Sequence, residues 1–449
     1  MRAEIQQNVR FNFTVNVLDG AFFGLSLGFA SYVTIIPLFI STLTHSSVLI
    51  GLIAAMHTIG WQLPQLLTAN RVARLRRYKP MVIFMTLNER VPFFALALVA
   101  LAVPAIGREW ALVLAFIFVT WQAMGGGLTG TAWQTMIAKI IPTDMRGTFY
   151  GMQSSAANLL SSGSAVLAGF ILESGVNATS RFAASGGGVM LAGILPEASR
   201  NPQSFALCFF LAGVGMMVSM GFLNATRETD EPGMRETART TSEFWRALGR
   251  IMRQDANFRT FIVARMLAQV ASVGVAFYTV YAVRRFNMDA ATAGLMTGVL
   301  LIAQVVANPF FGWLGDRYSH RLMFGFGVLL AGAAALLALF APSLEWFYLV
   351  FALAGIANSG LWPTINALTV EFGSTEERPY YIGLANTLVA PATLLAPIIG
   401  GVLADSVGYG ATFAVAAVCA VLTAVIMVFI LREPRHEAAE LIPTTPYLE

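Results

Sequence analysis

Two ionisable side chains, Asp19 and Arg265, stand inside long apolar runs, where an ionised group is unfavourable and marks function. Helical spacing sets which residues share their faces. Asn12, Asn16, Asp19, Phe23 and Ser26 recur at steps of four, three, four and three, which is one stripe of a helix. Arg265, Gln269, Ser272, Ala276 and Thr279 repeat that spacing. A carboxyl that is alternately buried and hydrated can take up and release a proton. A guanidinium, always charged, can pair with that carboxylate or with an anionic group on a bound solute. The expected chemistry is therefore proton exchange and solute binding; the alternative is that both groups only wet the mouth of the protein.

Two more runs carry polar stripes: Gln122, Gly126, Thr129 and Trp133, and Gly355, Asn358, Trp362 and Thr369. Hydrogen bonds that join helices are the competing reading for each Asn, Ser or Thr. Trp121, Trp133 and Trp362 either stack on a ring of the solute or fill space. Asn88, Glu89 and Arg90, in NERVPFF, are read as structural, with Glu89 accepting from His57 or another buried donor. Catalysis has little support. No run contains a His/Asp cluster with metal-ligand spacing, a nucleophile elbow or a phosphate loop. The glycine triplets at 125–127 and 186–188 do not follow a strand into a helix, so neither a metal nor a cofactor is expected.

The elements that position these residues follow from composition. Of 449 residues 57% are hydrophobic and 12% charged, with a mean hydropathy of +0.68; soluble domains carry about 25% charge. About twelve apolar runs approach the roughly 20 residues needed to cross a bilayer: 11–39, 46–69, 81–104, 110–137, 148–172, 204–224, 259–283, 291–314, 322–341, 345–371, 381–404 and 409–431. Strand-like alternation is absent, so all are read as helices. Twenty-one of the 28 Lys and Arg residues fall on one side if the amino terminus is cytoplasmic, which predicts both termini inside. RVARLRRYK is on this ground a topology-setting loop, and no nucleic acid is expected. The first ten residues are polar and the run after them is too long for a signal sequence. Cys208 and Cys419 lie inside predicted spans, so no disulfide framework is expected.

A polar segment at 225–258, with the amphipathic piece FWRALGRIMR suited to the inner membrane face, separates two halves. The expected units are 1–224, the linker 225–258, 259–432 and a tail 433–449. The halves repeat each other. GGLTGTAWQT aligns with GIANSGLWPT, RGTFYG with RPYYIG, and NVR with NFR ahead of the first and seventh runs. Under this repeat Asn16 matches Arg265. The eighth run ends in FFGWLGDRYSHRL, a compact charged knot between apolar runs.

That knot, with Gly312, Leu314, Asp316, Arg317 and Arg321, resembles the loop between the second and third helices of each half in the major facilitator superfamily. Here Ser319 stands for the usual second glycine and Gly315 for the usual alanine. The resemblance implies an all-helical membrane protein of twelve spans in two pseudo-symmetric bundles. It also implies a secondary transporter working by alternating access, proton-coupled, with an uncoupled facilitator or multidrug pump as alternatives. A non-transporting sensor or lipid-handling protein is the reading from another class. The site implied lies on the first, fourth, seventh and tenth spans: Asn12, Asn16, Asp19, Gln122, Thr129, Trp133, Arg265, Gln269, Asn358 and Trp362. The knot is implied to be a latch, Asp316 facing the start of the fifth span at Gly147 and Thr148, and Arg317 or Arg321 pairing with Glu371. A carboxylate suits the positive end of a helix. The matching loop of the first half, ANRVARLRRYKP, has Ala69, Ala73 and Arg74 at the places of Gly312, Asp316 and Arg317. Closure should then be asymmetric, or that loop contacts anionic lipid. Expected partners are a small-molecule solute, a proton or other coupling ion and membrane lipid. The expected state is a monomer in a bacterial or archaeal plasma membrane.

Overall fold

The computed structural model describes residues 2–174, 202–229 and 240–434. The outer segment 173–203, read from sequence as a lid or re-entrant stretch, falls almost wholly outside the described residues, as do the middle of the linker and the end of the tail. Regular structure among the described residues is helical: α1 (Arg2–Phe29), α2 (Ile35–Leu43), α3 (Ser47–Gln62), α4 (Gln65–Val72), α5 (Lys79–Ile140), α6 (Arg146–Ser174), α7 (Pro202–Ala225), α8 (Thr241–Gln254), α9 (Ala256–Ala271), α10 (Gly274–Phe286), α11 (Ala290–Arg317), α12 (His320–Phe340), α13 (Trp346–Thr369), α14 (Arg378–Ser406) and α15 (Tyr409–Val425).

Nine helical segments among the described residues are long and apolar enough to cross a membrane, and breaks and a merger account for the other crossings. The first run is split between α1 and α2, where the Ser31 hydroxyl accepts from the N–H groups of Val33 and Thr34, both at 3.2 Å. Pro37 then falls in the first turn of α2, where its missing N–H costs nothing. The second run is split at Pro64, the residue before α4. The third and fourth crossings are continuous as α5 and turn at Gly107, whose φ of 80° suits glycine. The result is twelve crossings in two six-helix bundles.

Within the first bundle α1 packs on α6 through glycines one turn apart. A Cβ on Gly24 would lie 2.2 Å from the Ala157 carbonyl oxygen, and one on Gly28 would lie 2.2 Å from that of Ser161. Small residues let helix backbones approach closely, which is how packing substitutes for the hydrophobic effect in lipid. The spacing was visible in DGAFFGLSLGF, but the partner helix was not.

The bundles meet along two seams on the face that carries the basic loops. On one, α6 lies against α11. A Cβ on Gly147 would stand 2.4 Å from the Gly312 carbonyl oxygen, and one on Gly151 would stand 2.3 Å from that of Asn308. On the other, α14 lies against α3 and α4. Asn386 donates to Gln65 Oε1 at 2.7 Å, and Thr387 donates to the carbonyls of Gln62 and Leu63 at 3.3 and 3.2 Å. Gly151 and Gly383 correspond in the repeat, so each seam is the pseudo-twofold image of the other. The amphipathic α8 buries Phe244, Ala247, Leu248 and Ile251. Phe244 packs edge-on to Tyr380 at 5.6 Å, so that face covers the second bundle rather than lipid.

Gly24→Ala should lower the thermal unfolding midpoint of the detergent-solubilised protein, at an overpacking penalty of about 1–3 kcal/mol. Gly163→Ala, where a Cβ meets nothing within 4 Å, should leave it unchanged or raise it slightly. Equal midpoints for the two variants would contradict the close α1–α6 approach.

Candidate functional site

Above the seams lies a cavity of about 390 Å³. Its charged wall is built by α1, α5 and α7. The Asp19 carboxylate accepts from the Ser219 hydroxyl at 2.6 Å and lies 3.6 Å from Arg90 Nη2. Arg90 Nη1 lies 3.5 Å from Glu89 Oε2. The guanidinium also donates to the Met216 carbonyl at 3.1 Å, to the Ser219 hydroxyl at 3.1 Å and to Thr86. Asp19, Glu89 and Arg90 are all buried. Two carboxylates thus share one cation whose nitrogens are held by fixed acceptors. With both acids ionised the cluster carries one net negative charge, and a single proton cancels it.

The opposite wall is aromatic and amide-rich. Trp61 and Trp362, from different bundles, approach with ring centroids 5.2 Å apart. Trp133 packs edge-on to Tyr150 at 6.0 Å. Phe23, Gln153 and Asn158 add to the first bundle's share, and Gln304 and Asn308 add amides from α11.

Of the residues proposed from sequence, Asp19, Thr129, Trp133 and Trp362 line this cavity. The others do not. Asn12 exchanges two hydrogen bonds with the backbone of Arg227, at 2.9 and 2.8 Å. Asn16 donates to the Asn12 carbonyl at 2.8 Å and to Thr226 at 3.0 Å. Both fasten α1 to the chain after α7. Gln122 accepts from the Tyr32 hydroxyl inside the bundle. Gln269 and Asn358 are half-buried outside the cavity lining. Arg265 does not pair with Asp19. It donates to Asn386 Oδ1 at 3.0 Å, and Asn386 bridges to Gln65, so Arg265 belongs to the second seam.

Glu89 and Arg90 were read as structural, yet both line the cavity. His57 does not serve Glu89; its ring stacks on Tyr32 at 3.8 Å. The signal that could have found Glu89 and Arg90 was the same one used for Asp19, a charge within a span. Trp61, Gln153 and Asn308 carried no such signal. Trp121 faces outward and donates to Asn88 at 3.1 Å.

On the basic face Asp316 accepts from the backbone N–H groups of Gly147 at 2.7 Å and Thr148 at 2.6 Å. Neither arginine of the knot reaches Glu371. Arg317 lies over the rings of Trp313 and Tyr318. Arg321 pairs with Glu433 at 3.2 Å and donates to the carbonyls of Met427, Val428 and Leu431. It therefore closes the end of the last crossing. His320 takes the place expected for an arginine, its Nδ1 2.8 Å from Glu371 Oε1 and its Nε2 3.4 Å from Asp316 Oδ1. Ser319 caps α12, its hydroxyl accepting from the Leu322 N–H at 3.3 Å, a task the usual glycine could not perform. The second seam lacks this arrangement twice over. Ala73 stands for Asp316, and Pro379, which has no N–H, stands for Gly147.

Residues 257–446 match the sequence profile of the Major Facilitator Superfamily. Over 150 residues the chain is 25% identical to Multidrug resistance protein 1 of Bacillus subtilis, covering 33% of this chain and 38% of that protein. Over 141 residues it is 29% identical to Multidrug resistance protein MdtG of Escherichia coli, covering 31% and 34%. The matched segments thus span little more than a third of those relatives. The E. coli fucose:proton symporter FucP superposes with a TM-score of 0.71 at 16% identity, covering 92% of this chain and 97% of that one. For the proton:xylose symporter XylE the values are 0.67, 15%, 97% and 99%. The architecture is that of the major facilitator transporters. The chain thus shares the fold of these transporters along its length and the sequence profile of the Major Facilitator Superfamily over residues 257–446.

Arg90→Ala should destabilise the protein by about 3–5 kcal/mol, because it leaves two buried carboxylates without their cation. Adding Asp19→Asn and Glu89→Gln should restore much of the loss, measured as unfolding midpoints in detergent. A single Arg90→Ala variant as stable as the parent would rule out a shared cation.

Proposed function

We propose that this protein is a proton-coupled secondary transporter that moves a small solute by rocking two bundles about the cavity. The observation that carries this reading is the pair of carboxylates sharing one guanidinium on the wall of a cavity closed at one face. When both acids are ionised the site favours a cation; when one is protonated that preference is lost. Proton and cationic solute then compete for one negative charge, which couples their movements. Trp61, Trp133 and Trp362 supply flat apolar surface, so the solute proposed is an aromatic cation. The likeness to multidrug resistance proteins supports this choice.

The basic face is taken as cytoplasmic from the distribution of Lys and Arg, with both termini there and the plasma membrane of a bacterium or archaeon as the site. The form described is then outward-facing. The bundles 1–224 and 259–432 are the moving bodies. Gly312 and Asp316 steady the closed inner face, and Arg265 acts there through Asn386 rather than on the solute.

Purified protein in liposomes should move ethidium when a pH gradient is imposed, and Asp19→Asn and Glu89→Gln should each reduce that movement to near the level of empty vesicles. Movement indifferent to the gradient would point to an uncoupled facilitator. Binding without flux would point to a sensor, and unchanged coupling in Asp19→Asn would remove the cluster from the mechanism.

A further inference from the structure

A second, open pocket of about 690 Å³ lies on the basic face, where α5 begins and α7 ends. All of its lining comes from the first bundle, so neither seam crosses it. Lys79 opens α5, and Arg227 follows the end of α7 by two residues. The Arg227 guanidinium lies over the Phe11 ring at 4.2 Å and donates to Asn8 Oδ1 at 3.1 Å, which takes one of its five N–H groups. Arg77, on the loop before α5, carries a third positive charge. The one acid of the lining, Glu228, has its charge matched within the protein. It accepts from the N–H groups of Tyr78 at 2.9 Å and Lys79 at 2.8 Å, and it pairs with Lys139 at 3.0 Å.

The pocket turns apolar along the membrane-crossing part of α5. Lys79, Ile83 and Leu87 recur every four residues on one stripe, so the wall passes from an ammonium to two aliphatic side chains over about 12 Å. Phe84 stands beside them and is 66% exposed. A charged end continuous with an apolar strip, at the level of the helix ends, has the shape of a phospholipid and not of a soluble anion. We propose that this pocket binds the phosphate of an anionic phospholipid, with Lys79 and Arg227 as its cations and Ile83, Phe84 and Leu87 along the first part of an acyl chain.

A guanidinium offers paired N–H groups that match phosphate oxygens, and an ammonium adds a compact charge beside it. A zwitterionic headgroup carries its own cation, which these two side chains repel, so the pocket favours lipids with net negative charge. The amino terminus of α5 adds little, because Glu228 already takes its first N–H groups. The bound phosphate joins the start of α5 to the chain after α7, and Asn12 ties that chain to α1. One lipid therefore braces three helices of the first bundle. At the same junction of the second bundle the protein supplies its own anion: Arg321, at the start of α12, pairs with Glu433 after the last crossing.

The test uses the full chain, stripped of lipid in non-ionic detergent, with native mass spectrometry following the first molecule of phosphatidylglycerol bound against phosphatidylcholine of the same acyl chains. Phosphatidylglycerol should bind the more tightly. Lys79→Gln and Arg227→Gln should each weaken it by about fivefold, and together by about 25-fold. The pair Lys79→Arg and Arg227→Lys, which keeps both charges, should retain most of the affinity. Arg284→Gln with Arg285→Gln, at the far end of α10, should leave it unchanged, as should Asp19→Asn with Glu89→Gln, because the cavity cluster is a separate site. Inorganic phosphate at matched ionic strength should not displace the lipid. Equal binding of the two lipids, displacement by inorganic phosphate, an affinity unmoved in the glutamine pair, or one lost equally in the charge-keeping pair would each overturn the proposal.

Discussion

A carboxylate placed against the first N–H groups of a helix holds this structure in the form described. Asp316 ends α11 in one bundle, and Gly147 and Thr148 begin α6 in the other. The contact needs backbones that nearly touch, hence Gly147 and Gly312, each of which would collide with the other's backbone if it carried a side chain. This closed face sets the floor of the cavity. Charge-assisted bonds of this kind are roughly twice as strong as neutral ones, and under the rocking motion proposed above the bodies they join would also have to separate.

The second constraint is the balance of charge away from water. Arg90 is held by a carbonyl and two hydroxyls, which fixes it between Asp19 and Glu89. With both acids ionised, its position leaves one negative charge unmatched on the cavity wall, opposite a wall of aromatic and amide side chains. For the proposed aromatic cation, specificity would come from one displaceable charge and a few rings, not from a dense set of directional bonds. Arg265, by contrast, is buried against the Asn386 amide and the Phe261 ring, which suits a seam.

The fold was legible because lipid tolerates few backbone solutions and because the two halves repeat. The position of Asp316 opposite Gly147 and Thr148 followed from the motif and the repeat together. What failed was the assignment of faces. Asn12 and Asn16 share a stripe with Asp19, but the chain after α7 reaches back to bond them, and no local spacing announces that return. Arg265 was aligned with the cavity by symmetry, whereas the bundles are not equivalent around it. Glu89 and Arg90 were read as structural, although Gly125 and Gly126, which lie against the Asn88–Glu89 backbone and the Glu89 carboxylate, leave room for this part of α5 beside the cavity. His320 was passed over because arginines flank it and the family pattern drew attention to them.

Pro379 has a mechanical corollary. Because proline offers no N–H and Ala73 no carboxylate, the α4–α14 seam has no counterpart of the Asp316 cap, and Asn386 and Thr387 cross it with amide and hydroxyl bonds, while its image across the pseudo-twofold carries an ion against a helix end. Parting the two bundles therefore resembles lifting a page hinged along one edge. Water would enter first past Thr387 and Asn386 and hydrate Arg265, while Asp316 still kept the far margin together.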